Sequence, residues 1–158
     1  TDVKPEFEVF DTGHIDSVMY YVNKHGIPKP PHIQFIMGVG GSMPGTAENL
    51  AFLVNKLPEG ATWSVSGIGR CHMPMMLAGL ALGCDGLRVG LEDNVMYGKD
   101  ADGNKIIATN LMLVERAVEL AKLAGREIAT ADEAREILGI TRHCLRDGKT
   151  EPVNITAK

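Results

Sequence analysis

The chain has 158 residues, 44% of them hydrophobic and 23% charged, with a net charge of -4. That length and composition suit one globular domain with a buried core. The acidic balance, with no run of Lys or Arg, argues against a nucleic-acid or anionic-membrane partner. The longest apolar stretch, Met73 to Leu82, is too short to span a bilayer and contains Pro74. Thr1 to Pro5 form no apolar signal segment, so a cytoplasmic location is expected. Cys71, Cys84 and Cys144 lack C-x-x-C spacing and read as reduced, structural thiols.

A unit of short apolar strand, Gly-rich turn and amphipathic helix repeats along the chain, the sign of βα units and a parallel sheet. Phe7 to Phe10 form a first strand, and a helix from about Ile15 to Lys24 is stopped by Gly26 and Pro28. Ile33 to Met37 form a second strand, ending in Gly38-Val39-Gly40-Gly41-Ser42. Thr46 caps the next helix, with Leu50, Leu53, Val54 and Leu57 at helical spacing. Thr62 to Ser66 form a third strand, ending in Gly67-Ile68-Gly69-Arg70. The short helix after it carries Met73, Met76, Leu77 and Leu80 as its apolar positions. Gly86 to Gly90 form a fourth strand, followed by Leu91-Glu92-Asp93-Asn94. A longer helix runs from about Asn110 to Ala124, with Val114, Ala117, Val118 and Ala121 as its buried stripe and Gly125 behind it. Thr130-Ala131-Asp132-Glu133 is a capping box for a helix to Leu138, closed by Gly139. Thr141 to Lys158 read as a polar, extended arm.

Four strands are half of what a parallel barrel needs, since one closes with eight strands in about 250 residues. Four βα units would leave two parallel edges open to pairing. Either these strands make a small open sheet, or the remainder comes from elsewhere.

The Gly-rich segments all follow strands. Gly38 and Gly40, like Gly67 and Gly69, can present amides to an anion such as phosphate, or they simply permit tight βα turns. Arg70 stands beside the second loop, either clamping an anion or serving as a surface cation. Arg88, Gly90 and Glu92 share strand parity. A lone cation inside a sheet layer is costly unless paired, and Glu92 or Asp93 is the natural partner. Four extended residues span roughly 13 Å, so a close pair requires a bend, placed at Gly90. Two adjacent carboxylates repel and call for cations, as a metal on one and an arginine on the other would supply. The bland alternative is an acidic N-cap pair. His14, His25, His32, His72 and His143 form no H-x-H or H-x-x-x-H pair, so each reads first as a packing or surface residue.

At Arg88-Val89-Gly90-Leu91-Glu92-Asp93-Asn94 the chain resembles the beta-keto acid cleavage enzymes. The resemblance extends through Glu8 to His14, Gln34 to Gly38, Ala61 to Val65 and Gly67 to Arg70. It continues through Leu113 to Ala117 and Gly125 to Thr130. It implies a zinc-containing (β/α)₈ TIM barrel that forms oligomers and cleaves a beta-keto acid with acetyl-CoA, giving acetoacetate and a new acyl-CoA. By that resemblance Glu92 is a zinc ligand, Asp93 the catalytic aspartate and Arg88 the arginine supporting the charged intermediate. Glu6 or Glu8 takes the place of the acidic residue that reads the substrate's amino group.

Gly38, Gly40, Gly67, Gly69 and Arg70 are then the acetyl-CoA loops. The family's H-x-H zinc pair and relay serine belong to earlier strands. Residues 1–158 are thus expected to supply strands five to eight of one barrel domain, needing an N-terminal half-barrel segment for activity. The segment from Met96 to Lys105 looks longer and more acidic than the family pattern, and His72 stands where a neutral polar residue is expected. The competing functions are a non-catalytic half-barrel module holding CoA or phosphate, and a Schiff-base aldolase, for which no strand carries a lysine.

Overall fold

The computed structural model describes residues 4–140 and, in backbone alone, residues 142–146 and 149–153. Its first three helices alternate with four parallel strands: β1 (Glu6–Val9), α1 (Thr12–His25), β2 (His32–Met37), α2 (Ala47–Val54), β3 (Thr62–Gly67), α3 (His72–Ala81) and β4 (Gly86–Leu87). A 3₁₀ turn at Gly69–Cys71 leads into α3. Strand order is β1-β2-β3-β4, the order of the chain itself. A sheet wound one way throughout can place its helices on one face.

It does so here. Val9, Ile33, Phe35, Met37, Trp63 and Val65 alternate along the strands toward that face. Ile15, Val18 and Val22 of α1, Leu50 and Leu53 of α2 and Met75 of α3 pack against them in one core. The period-2 pattern of the strands thus meets the 3.6-residue period of the helices. Fully burying such side chains stabilises by about 1.5–3 kcal/mol each before chain entropy is counted. The other face carries His32, Gln34, Ser64 and Ser66, all buried, together with Glu6 and Glu8. A polar interior layer of this kind is kept only where its groups bond one another.

Local signals explain the boundaries. Asp11 accepts from the Gly13 amide at the start of α1, which therefore begins at Thr12, ahead of Ile15. Thr46 caps α2 through the Asn49 amide. Gly26 ends α1 at φ 62°, a left-handed turn that glycine adopts without cost.

Three expectations need correction. The fourth strand is two residues long, because the chain turns away after Leu87. In α3 the fully buried positions are His72, Met75, Met76 and Gly79, while Leu77 is half exposed. In α4 (Asn110–Leu123) the buried residues are Leu113 and Ala121. Val114 and Val118 instead wall an open apolar groove against Leu80, Leu87 and Ile128, about 490 Å³ in volume.

The segment between β4 and α4 is a hairpin, β5 (Met96–Lys99) with β6 (Lys105–Ile107), closed by Asp100. The Asp100 carboxylate accepts from the amides of Asp102 and Asn104. α5 (Ala131–Leu138) begins at the expected Thr130–Glu133 capping box, and Gly139 closes it at φ 63°. Its Ala134, Ile137 and Leu138 lie over the polar sheet face near Gln34 and Ser64. The arm pairs as two antiparallel strands, β7 (Arg142–Arg146) and β8 (Lys149–Val153). Among the described residues no helix is long and apolar enough to cross a membrane.

Candidate active site

The strand register lines up Glu8, Gln34, Ser64 and Gly86 across the sheet. Alternate positions share a face, so Ser66 stands beside Ser64 on the polar side, one pleat further toward the C-terminal edge. Arg88 follows β4, its amide still bonded to the Val65 carbonyl at 3.0 Å.

From there the guanidinium gathers the polar layer. Nε donates to Oδ2 of Asp93 at 3.0 Å and Nη2 to Oδ1 at 3.1 Å, a two-point fork. Nη1 donates to Oε1 of Glu8 at 2.7 Å and to Oε1 of Gln34 at 2.9 Å. Nη2 also donates to Oε2 of Glu92 at 2.6 Å. Gln34 is oriented in turn by donating from Nε2 to Ser64 Oγ at 3.3 Å. Burial works to lower the Arg88 pKa, but Asp93, Glu8 and Glu92 together outweigh it and raise it. The planar fork suits guanidinium and no other cation.

The two adjacent carboxylates occupy different surroundings. The Asp93 side chain is 3% exposed. Its Oδ2 accepts a further hydrogen bond from Ser66 Oγ at 2.8 Å. The Glu92 side chain is 83% exposed. Arg88 holds Oε2 of Glu92, and Oε1 has no partner among the described residues. The bend that brings them back to Arg88 is a hydrogen-bonded turn: the amides of Asp93 and Asn94 both donate to the Gly90 carbonyl, at 3.1 and 3.0 Å. The Gly69 amide donates to the Asp93 carbonyl at 2.8 Å and ties this turn to the β3 loop.

Of the two candidate acids on β1, Glu8 meets Arg88. Glu6 lies toward the other end of the sheet, its carboxylate 3.2 Å from Nε2 of His32. The opposite nitrogen of His32 is 2.8 Å from Thr62 Oγ1. Burial lowers the His32 pKa in spite of the opposing carboxylates of Glu6 and Asp85.

The glycine loops divide. At Gly38, with φ 87°, a Cβ would stand 2.8 Å from the Cys71 sulfur, and at Gly67 it would collide with the Cys71 carbonyl. Both therefore serve close packing of the two loops. The amide of Gly38 is donated to Met43 and that of Gly69 to Asp93, so neither points at a ligand in this arrangement. A Cβ at Gly40 or Gly69 would meet open space, and Arg70 is exposed beside them. His14 is exposed and accepts from the Phe10 amide through Nδ1, a local role in opening α1. Burial pushes the Cys84 thiol up to about 11, as an inert packing residue requires. The side chain of Cys144 lies outside the described residues. Among the described residues no three His, Cys, Asp or Glu side chains come together as a metal site.

Gln34, Ser64 and Ser66 are site residues that the sequence does not single out, and His72, which reads there as a packing or surface residue, is buried at the start of α3. The first three share the face of Glu8, a signal available from strand parity alone. His72 stands three, four and seven residues before Met75, Met76 and Gly79, so helical spacing also marks it as buried.

A parallel α/β sheet with a forked arginine–carboxylate pair at the C-terminal end of its last strand is an enzyme-like arrangement. The profile of the beta-keto acid cleavage enzyme family matches residues 1–140, and the chain belongs to that family. It is similar to a 3-keto-5-aminohexanoate cleavage enzyme of Fusobacterium nucleatum, 45% identical over 140 residues that cover 89% of this chain and 49% of that protein. The enzyme of the same description from Acetoanaerobium sticklandii is 42% identical over 140 residues, covering 89% of this chain and 50% of that one. A 3-oxoadipate:acetyl-CoA acetyltransferase of Cupriavidus necator is 38% identical over 141 residues, covering 87% of this chain and 48% of that one. The chain spans about half the length of the curated relatives it matches.

Among solved structures, the ternary complex of ObcA with C4-CoA adduct and oxalate superposes with a TM-score of 0.72 at 20% identity. It covers 88% of this chain and 38% of that one, a likeness of fold.

Proposed function

We propose that this chain is the part of an acetyl-CoA-dependent beta-keto acid cleavage enzyme that carries strands five to eight of a (β/α)₈ barrel. The observation that supports it best is the Arg88 hub. A buried Asp93, forked by Arg88 and bonded by Ser66, sits beside an open Glu92. The sequential strand order and the polar inner face are what an arc of a barrel requires, with the remaining strands completing the wall.

In this reading Asp93 takes and returns a proton during cleavage. Ser66 and Arg88 fix its orientation, so little reorganisation is needed as charge develops. Arg88 opposes the negative charge that builds when the carbon–carbon bond breaks. Glu8, held by the same guanidinium, faces the substrate and favours one with a cationic distal group. Gly40, Gly69 and Arg70 border the acetyl-CoA side of the site, with Gly38 and Gly67 shaping the loops. A loop-only binding module is less well supported, because the Gly38 and Gly69 amides are already used internally.

The residues fit zinc as one ligand of a set: Glu92 keeps one carboxylate oxygen open at the strand end, and the remaining ligands come from outside this segment. When bound, zinc would polarise the keto carbonyl as a Lewis acid. The barrel is expected to act as a homo-oligomer in the cytoplasm. Metal analysis of the barrel completed with a preceding half should find about one zinc per subunit, as a single His/His/Glu site requires. Glu92→Gln should remove most of it. Full zinc retention and undiminished acetoacetate formation in that variant would contradict the assignment.

A further inference from the structure

A second pocket adjoins the Arg88 hub, with Asp93 in its wall. It is a cavity of about 520 Å³ bordered by Arg70, His72, Glu92, Asp93, Tyr97 and Arg116, among others. It lies between the β3 loop, the start of α3 and the β5–β6 hairpin.

Its polar groups are unevenly matched. His72 is 2% exposed, and neither ring nitrogen has a hydrogen-bond partner among the described residues. Burial and then the positive charge of Arg116 lower its pKa against the pull of Asp93, so the ring is neutral near pH 7. One nitrogen therefore donates and the other accepts. Buried polar atoms are rarely left without a partner. The Arg116 guanidinium lies 3.4 Å from the centre of the Tyr97 ring, and Nη2 donates to the Tyr97 carbonyl at 2.7 Å. Neither Arg116 nor Arg70 has a carboxylate partner among the described residues. Of the carboxylates in the same walls, Asp93 is forked by Arg88, and Glu92 gives Arg88 one of its two oxygens. Donors therefore exceed acceptors: two guanidinium-bearing residues border the pocket, and the unpartnered His72 ring is buried in its wall.

We propose that this pocket is an anion subsite that takes a carboxylate or phosphoryl group on Arg116 and Arg70, beside the buried ring of His72. It adjoins the Arg88–Asp93 pair, sharing Asp93 and Glu92 in its wall and Arg70 with the proposed acetyl-CoA side, and anion binding there does not require the cleavage reaction. Planar guanidinium donors match either oxyanion, and the stack on Tyr97 holds Arg116 ready for it.

The test titrates the chain separately with acetate and with inorganic phosphate, at constant ionic strength near pH 7.5. The His72 imidazole ¹H–¹⁵N signals are followed throughout. A saturable shift with acetate alone identifies a carboxylate site, with phosphate alone a phosphoryl site, and with both a shared oxyanion site. Arg116→Gln should weaken binding by about tenfold or more, the loss of one charge-assisted hydrogen bond. Should that variant fold poorly without its stack on Tyr97, Arg70→Gln on the exposed turn should still weaken binding by roughly threefold. Lys56→Gln, in the turn after α2 and outside the pocket, should leave it unchanged. Shifts that never saturate, or wild-type affinity in both the Arg70 and Arg116 variants, overturn the proposal. Loss of cleavage with binding intact counts against the catalytic reading alone. Cleavage without anion binding removes only the subsite.

Discussion

Arg88 and Asp93 meet through two parallel hydrogen bonds, 3.0 and 3.1 Å long, although β4 ends at Leu87. The turn at Gly90 makes this possible, and it buries Asp93 while leaving Glu92 in the open. Removing the arginine would strand a buried carboxylate, whereas removing Glu92 or Glu8 would cost only an exposed contact. Arg88→Ala should therefore destabilise the chain by about 2–4 kcal/mol, against less than about 1 kcal/mol for Glu92→Gln or Glu8→Gln. Arg88→Lys should recover only part of the loss, because a lysine cannot form the fork. Urea unfolding midpoints decide the order, and equal losses in all the variants would contradict it.

Ser66 is completely buried and donates to Asp93 at 2.8 Å. Ser66→Ala removes that donor and should cost about 1–2 kcal/mol. In the complete barrel it should lower kcat more than KM, because the serine orients Asp93 without binding substrate. A change confined to KM would argue against that positioning role.

His32 and His72 both have pKa values lowered from 6.5, with burial the first cause in each. The unfolded chain therefore binds protons at a pH where both folded rings remain neutral. Stability should be full above about pH 7 and fall as the pH drops through 6.5, levelling off below the depressed folded values. Unfolding midpoints measured between about pH 5 and 7.5 check this. His72→Leu should shrink the slope while costing little at pH 7.5, since the ring nitrogens have no protein partner to lose. An unchanged slope in that variant would show that His72 is not one of the responsible groups.

Gly38 faces Cys71 across the two site loops. Gly38→Ala must hold a non-glycine residue at φ 87° and push the Cys71 sulfur away, at a cost of about 1–3 kcal/mol. Cys71→Ala in the same chain should relieve the steric part and leave the backbone part. A double-mutant cycle measures that coupling, and strictly additive losses would place the strain elsewhere.

Much of this arrangement could be read in the sequence for local reasons. Thr46, Thr130 and Gly139 announce the helix ends because capping chemistry lies within a few residues of its target. The alternation in β2 and β3 announces two faces. The hairpin between Met96 and Ile107 was not legible, because its closing element is one Asp100 carboxylate gathering neighbouring amides, and neither strand alternates cleanly. The stripe on α3 was read one residue out of phase, since a histidine at its start looks polar until its surroundings are known. The sequence points to Arg88 pairing with one of the two acids and a metal on the other, whereas the guanidinium bonds both. Its contacts to Glu8 and Gln34 depend on strand register, which comes from the sheet as a whole.

The most direct measurement is acetoacetate formation from 3-keto-5-aminohexanoate and acetyl-CoA by this chain assembled with the preceding half of the Fusobacterium nucleatum relative. Assembly should be verified by mass and circular dichroism, and the Asp93→Asn version compared alongside. The wild-type assembly should make acetoacetate, and Asp93→Asn should lower kcat by about 10²–10⁴-fold, the usual contribution of a positioned proton-transfer group. An assembled barrel that forms no acetoacetate, or one in which Asp93→Asn keeps full activity, would contradict the catalytic assignment of the Arg88–Asp93 pair.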